Sequence, residues 1–405
     1  MQFGRLGIGL IAAAAACQPA MAASGAPQSS GRQFDVMFMG DVTHDTNLPR
    51  TSALEAARSN LVLDDTSYTP NLSMNLRYPV GRQSLFLEGQ AGYVFHQNNS
   101  VLDSERVNIT TGVDTRISIC STRFSGGYAR SLSDLQDITL ATTITNKIRV
   151  ETVSLNAQCG RRTGLGVNFT ASEDWGDNSA AQMQVQDYRG ENYSAGLTYT
   201  RPALGVVTLF ASYGHSLFPN RPRFGGEEDG FDNTAGGITF DRHLGARIEG
   251  TATVAYSKVT ELVHNPLLPA RDFAGLTYSF NGKYRVTRKL STDLLFERAI
   301  KPSTRIGSTY ELRTDYRFNA NYDVGRRFKL RGSYERVDDK SSATGPLVAT
   351  TLTNSRANIV SGGVEYDLGR RISLTLDGAQ EQRKTNNTLF DYRDTRVTAG
   401  VRVRY

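Results

Sequence analysis

Two features of this chain could do chemistry: the dipeptide His215-Ser216 and the cysteines Cys120 and Cys159. A histidine beside a serine could supply a base and a nucleophile, the parts of a hydrolase. His215, however, shares strand parity with Val207, Leu209, Ala211 and Tyr213, an apolar face, and so reads as an interface side chain. The other histidines are His44, His96, His243 and His264, and no pair has metal-ligand spacing. Neither cysteine lies near a histidine in sequence. The glycine pairs Gly126-Gly127, Gly225-Gly226, Gly236-Gly237 and Gly362-Gly363 do not open a helix, so none is a phosphate loop. The reading is a protein with no catalytic residues, no metal site and no cofactor.

The leader gives the compartment. Arg5 precedes an apolar run from Leu6 to Ala16, and Ala20-Met21-Ala22 closes it as a cleavage site. Residues 1–22 therefore read as a signal peptide, with a lipoprotein acylated at Cys17 as the alternative. Outside the cytoplasm, Cys120 and Cys159 form an even pair that favours a disulfide. Each falls near a turn on the same rim, one hairpin apart.

The elements that position these residues are strands. Tyr310, Leu312, Thr314, Tyr316, Phe318, Ala320 and Tyr322 alternate with Glu311, Arg313, Asp315, Arg317, Asn319 and Asn321. One face is apolar with aromatic ends; the other is charged or amide. At 13 residues the run exceeds a typical globular strand of about 5–6 and suffices to cross a membrane when tilted. Leu85–Phe95, Ala246–Tyr256, Phe328–Glu335 and Arg396–Tyr405 alternate in the same way. Negative mean hydropathy fits such a chain, because half of each strand faces water.

A phrase recurs between strands: Tyr78-Pro79-Val80-Gly81-Arg82, Tyr284-Arg285-Val286-Thr287-Arg288, Tyr322-Asp323-Val324-Gly325-Arg326 and Tyr366-Asp367-Leu368-Gly369-Arg370. These are short, basic turns of a hairpin array. The opposite connections are longer: Thr46–Asp65, Ser172–Gln184, Leu217–Asp232, Thr260–Ala270 and Val337–Ser355. The expectation is an all-β fold: a transmembrane antiparallel up-and-down barrel over residues 33–405. It has about 18 strands, short periplasmic turns and long extracellular loops, after a periplasmic segment at 23–32. Weak patterning from Ile119 to Asn146 leaves 16 strands as the alternative.

Charge is unevenly placed. Arg82, Arg161, Arg162, Arg201, Arg242, Arg288, Lys289, Arg326, Arg327, Arg370 and Arg371 are assigned to short turns; these eleven cations outnumber the formal net charge of +6. The rim is then either an interface anchor or a funnel for anionic cargo. Inward candidates are Arg313, Asp315, Arg317, Arg331, Glu335 and Arg402. With them come Lys329, Arg396, Arg404, Glu88, Glu249, Asp293, Glu297, Glu311 and Asp394. They either line a pore or brace the wall by pairing.

The chain ends Thr398-Ala399-Gly400-Val401-Arg402-Val403-Arg404-Tyr405. This resembles the β-signal of bacterial outer-membrane proteins, with Thr398, Gly400, Val403 and Tyr405 at its specified positions. The resemblance implies capture by the outer-membrane assembly machinery through edge pairing. His44-Asp45-Thr46-Asn47-Leu48-Pro49-Arg50 resembles the Asp-Ser-Asn-x-x-Arg signature of the β-barrel porin 2 family, with Thr46 in place of Ser. Thr69–Leu76 is similar to that family's second strand. The resemblance implies a location in the outer membrane of a Gram-negative bacterium. It suggests export of an anionic exopolysaccharide, with polysaccharide export proteins as partners beside lipid and lipopolysaccharide. Nucleic acid is not expected. The alternatives are a general small-solute porin, a plugged barrel acting as scaffold or adhesin, and an outer-membrane lipid hydrolase.

Overall fold

The computed structural model describes residues 32–58, 60–133, 145–221, 226, 228–244, 247–263, 272–303, 308–342 and 354–405. The leader, Cys17 and His264 lie outside them. Eighteen strands follow in order: β1 (Gln33–Asp45), β2 (Asp65–Val80), β3 (Gln83–His96), β4 (Ser104–Ile117), β5 (Cys120–Leu132), β6 (Lys147–Gly160), β7 (Gly164–Asn178), β8 (Tyr188–Arg201), β9 (Gly205–Leu217), β10 (Gly230–Leu244), β11 (Ile248–Glu261), β12 (Phe273–Arg285), β13 (Leu290–Pro302), β14 (Tyr310–Asp323), β15 (Phe328–Ser341), β16 (Asn354–Asp367), β17 (Ile372–Thr385) and β18 (Tyr392–Arg404). Each pairs antiparallel with its neighbours in sequence. The sheet closes where β1 meets β18, from Met37 opposite Arg404 to Asp45 opposite Arg396.

Closure satisfies the backbone groups that a bilayer core cannot. The exposed apolar residues fall on one parity of each strand: Phe38 and Val42 on β1, Leu165, Val167 and Phe169 on β7, Val254 and Tyr256 on β11, Val397, Val401 and Val403 on β18. Leu165 is 78% exposed and Leu197 61%, values that suit hydrocarbon rather than water. This is a closed 18-stranded barrel with an apolar outer surface.

Both described chain ends lie on the rim of short turns. Several expected loops are shorter than sequence suggested. β7 runs to Asn178 and β15 to Ser341, so Ser172–Asn178 and Val337–Ser341 are wall, not loop. Polar side chains there extend the strands above the membrane, where alternation loses its apolar half. Ile119–Asn146 holds β5, whose pattern is diluted by Gly126 and Gly127.

Sixteen of the seventeen seams between consecutive strands are continuous or nearly so; the seam between β12 and β13 is not. Its pairing stops at Tyr278 opposite Arg298. Phe273–Thr277 stay bonded to β11, and Ala299–Pro302 stay bonded to β14. The two sheet edges part at the extracellular end and overlap like a scroll, β13 and β14 passing inside β10–β12. Parity shows it. Ile300, Tyr310 and Leu312 lie on the outward parity of β13 and β14, yet they are buried against Phe231 and Val259 of the inner faces of β10 and β11, with Phe273 packed alongside. Tyr310 and Leu312 were expected to face lipid; the overlap turns them onto the neighbouring wall.

Candidate functional site

The lumen has two unlike walls. On β14–β18, charges alternate and pair. Arg317 Nη2 donates to Glu335 at 2.8 Å and to Asp315 at 3.3 Å. Arg331 Nη2 lies 2.9 Å from both Asp377 oxygens, reaching over β16 at Gly363. Arg313 stands 3.9 Å from Asp339, and Arg402 3.6 Å from Glu365, which also accepts from Lys329 at 2.7 Å. Arg396 bonds Glu381 at 2.7 Å. All six lumen candidates, Arg313, Asp315, Arg317, Arg331, Glu335 and Arg402, sit in these pairs. Such pairing stiffens the wall and cancels its field.

Midway along β7–β12 the inner face is small and neutral. One row runs through Thr170, Ser194, Ser212, Ala235, Ser257 and Gly275, each opposite the next in strand register. Missing bulk leaves a cavity here, lined also by Phe210, Asn233, Thr253 and Thr277. Its far side is Glu297–Ile300 of β13, at the point where the seam parts.

The extracellular end of the overlap is pinned by Arg221. Its guanidinium donates to the Val185 carbonyl at 3.1 Å, Gln186 at 2.6 Å, Asp229 at 2.9 Å and the Ser308 carbonyl at 2.8 Å. It also stacks on Phe218, 3.6 Å from the ring centre. Phe218, Phe231 and Tyr188 complete the apolar cluster beneath it, with Phe231 and Tyr310 rings 5.9 Å apart. One side chain thus ties three extracellular connections together. Sequence reasoning missed it, because a lone arginine in a loop carries no periodic signal. Arg298 was missed as well. Its signal was present: a cation on the parity of Leu294, Phe296 and Ile300.

The periplasmic rim carries Arg82, Arg161, Arg162, Arg288, Lys289, Arg326, Arg327, Arg370 and Arg371 in short turns, and Arg201 at the end of β8. Arg242 is not among them. It lies inside β10, and the turn presents Arg247 instead, because β10 continues to Leu244. Arg404 is exposed at the same rim.

Terminal residues hold the closing seam. Thr398 Oγ1 is 2.9 Å from Thr43 Oγ1. Gly400 faces Asp41 and Thr375, where a β-carbon would come within 2.2 Å of the Asp41 carboxylate. Val403 points outward, and the Tyr405 amide donates to Val36 at 3.0 Å while its ring is 81% exposed. Cys120 and Cys159 face each other across β5 and β6 on the lipid side near the short-turn rim and are joined in a disulfide.

His215 and Ser216 point to opposite faces of β9. His215 Nδ1 lies 2.6 Å from Asp232 on the outer surface, where Tyr213 also donates to Asp232. Ser216 is buried on the inside. The dipeptide therefore does not assemble a base–nucleophile pair. No group of metal-ligand side chains occurs among the described residues.

Residues 221–405 match the family model described as Putative beta-barrel porin 2, which bears out the resemblance over the carboxyl-terminal part of the chain. No curated protein matches the sequence. Similar solved structures include Pseudomonas aeruginosa OccK2 (OpdF) in complex with glucuronate, at 9% identity and TM-score 0.49 over 92% of this chain and 98% of that one. A BenF-like porin from Pseudomonas fluorescens Pf-5 has 8% identity and TM-score 0.49, covering 93% and 99%. Acinetobacter baumannii OccAB3 has 10% identity and TM-score 0.45, covering 92% and 99%. The barrel is porin-like, and it resides in the outer membrane of a Gram-negative bacterium.

Proposed function

We propose that this barrel is a selective channel for hydrophilic solutes, narrowed at its extracellular end by the overlap of β13–β14 inside β10–β12. The overlap is the observation that carries the reading. It sets an apolar cluster in the mouth of a lumen whose remaining surface is polar. An inert scaffold would have no need of a hydroxyl-lined cavity under that mouth. Passage of solute through such a path is passive and set by size and contacts with the wall.

The finer reading is export of an anionic exopolysaccharide, favoured by the basic periplasmic rim, which would gather anions at the entry side. Polysaccharide export proteins would meet that rim. The assembly machinery would engage β18, and lipopolysaccharide the outward ion pairs above the membrane, such as Arg149 with Asp177. Self-pairing on β14–β18 leaves little free positive charge inside, which favours small solutes over a polyanion track.

Osmotic swelling of proteoliposomes tests the reading. Entry should fall steeply with solute size. Equal exclusion of every solute by folded protein would refute it. Deleting the gene tests the finer version: polymer should accumulate in the periplasm, and unchanged surface polysaccharide would sink export.

A further inference from the structure

The cavity beneath the β12–β13 overlap holds polar groups that the fold itself leaves unused. Arg298 makes no hydrogen bond or salt bridge with any described residue; the Phe273 ring centre lies 5.9 Å from its guanidinium carbon, and it acts on Tyr278 only at longer range. Its Nε is sealed from solvent without a partner, as is Asn233 Oδ1. Glu297 likewise forms no hydrogen bond or salt bridge among the described residues, with Arg317 and Lys301 acting on it only at longer range. On the neighbouring β14–β18 wall, by contrast, Arg313, Arg317, Arg331 and Arg402 each have a carboxylate partner. Desolvated polar groups without partners are costly, so a fold that keeps two of them around one cavity, beside the half-buried Glu297, is poised for a ligand that completes them.

Their chemistry defines the ligand. Arg298 offers donors, Glu297 offers acceptors, and Asn233 an acceptor with its amide. The two charges cancel, so the cavity has no net preference for an ion. The row Thr170, Ser194, Ser212 and Ser257 adds hydroxyls along one side, and Phe210 adds a flat apolar surface. A hydroxylated ring, with hydroxyls at its edge and C–H groups on its face, matches all of these. A fatty acid would waste the hydroxyls; a bare anion would meet Glu297.

We infer that this cavity is a binding site for a single uncharged sugar unit, with Glu297, Arg298 and Asn233 as its specificity-determining residues. The inference rests on the channel reading, because it names the solute class that the path would select.

Calorimetry on the full-length protein in detergent, titrated with glucose, tests the site without requiring transport. Parallel titrations with glucuronate and octanoate probe an anion site and a lipid site. Proteoliposome uptake of glucose tests the channel. Glucose should bind better than either acid, and its uptake should saturate. Glu297→Gln and Arg298→Gln should each weaken glucose binding about tenfold, the effect of about 1.4 kcal/mol. Arg298→Lys should recover part of the loss, and Lys384→Gln, a change on the outer face of β17, should leave glucose binding unchanged. Heat-modifiable gel mobility certifies folding of each variant. Tighter binding of glucuronate or octanoate, or glucose binding unaffected by both substitutions, would overturn the site. Glucose binding with no uptake of any solute would leave the site standing and refute the channel.

Discussion

The Arg221 guanidinium donates a 2.8 Å hydrogen bond to the backbone carbonyl of Ser308, 87 residues away. That bond joins the connection after β9 to the one after β13. It holds the overlapped edge inside the wall, since β13 has no strand partner on its β12 side above Arg298. An unpaired sheet edge inside a barrel needs such a substitute tie.

Arg221→Ala should loosen the overlap without unfolding the barrel. Charge-assisted hydrogen bonds contribute about 1.5–3 kcal/mol each. Their loss should speed amide exchange at Ala299–Pro302 and Tyr310–Leu312 by at least about tenfold, with β1–β5 unchanged. Equal protection in both proteins would show that the arginine is not the tie.

The apolar cluster should be the second restraint. Phe231→Ala removes the ring that meets Tyr310, in a side chain only 2% exposed. Such truncations cost about 3–5 kcal/mol. Urea unfolding in lipid should shift accordingly. Phe124→Ala, on the lipid face of β5, should cost much less because it opens no internal cavity.

Reduction of Cys120–Cys159 should weaken the barrel. The bond closes a separation of 39 residues around the β5–β6 hairpin, worth about 3–4 kcal/mol by chain-entropy reasoning. A mass map without reductant should recover one linked peptide pair, and two alkylatable thiols would contradict it. Heat-modifiable mobility should convert at a lower temperature after reduction.

Gly400→Val should impair the closing seam. A β-carbon there would strike the Asp41 carboxylate and Thr375 Oγ1, so a branched side chain would force both from their places at the seam. Tyr405→Asp should fail differently, by placing a charge at the membrane interface. Both should lower the level of folded protein in the outer membrane. Normal levels of Tyr405→Asp would undercut the role of the terminal aromatic.

The barrel was legible in the sequence because its outer parity is apolar and its inner parity polar, as in Phe318 against Arg317. Strand number was legible in part because four short turns repeat Tyr and Arg at one rim. The overlap was not. Ile300, Tyr310 and Leu312 sit on the lipid parity, and an apolar residue carries the same pattern whether it meets lipid or a neighbouring wall. Only seam register separates the two cases. Turn arginines were misread once, at Arg242, because turns bounded by strand residues of similar polarity have soft edges. Lumen charges such as Arg331 could be placed inward from parity, but their partners two strands away, such as Asp377, depend on barrel curvature.

Single-channel recording in planar bilayers, comparing the native chain with Arg221→Ala, most directly tests whether this is a channel narrowed by its own wall. The native protein should give small discrete conductance steps, and Arg221→Ala should give larger or longer openings as the β13–β14 edge is released. A tight seal from both proteins, each shown to be folded and inserted, would contradict a channel; identical steps from both would contradict the overlap as its constriction.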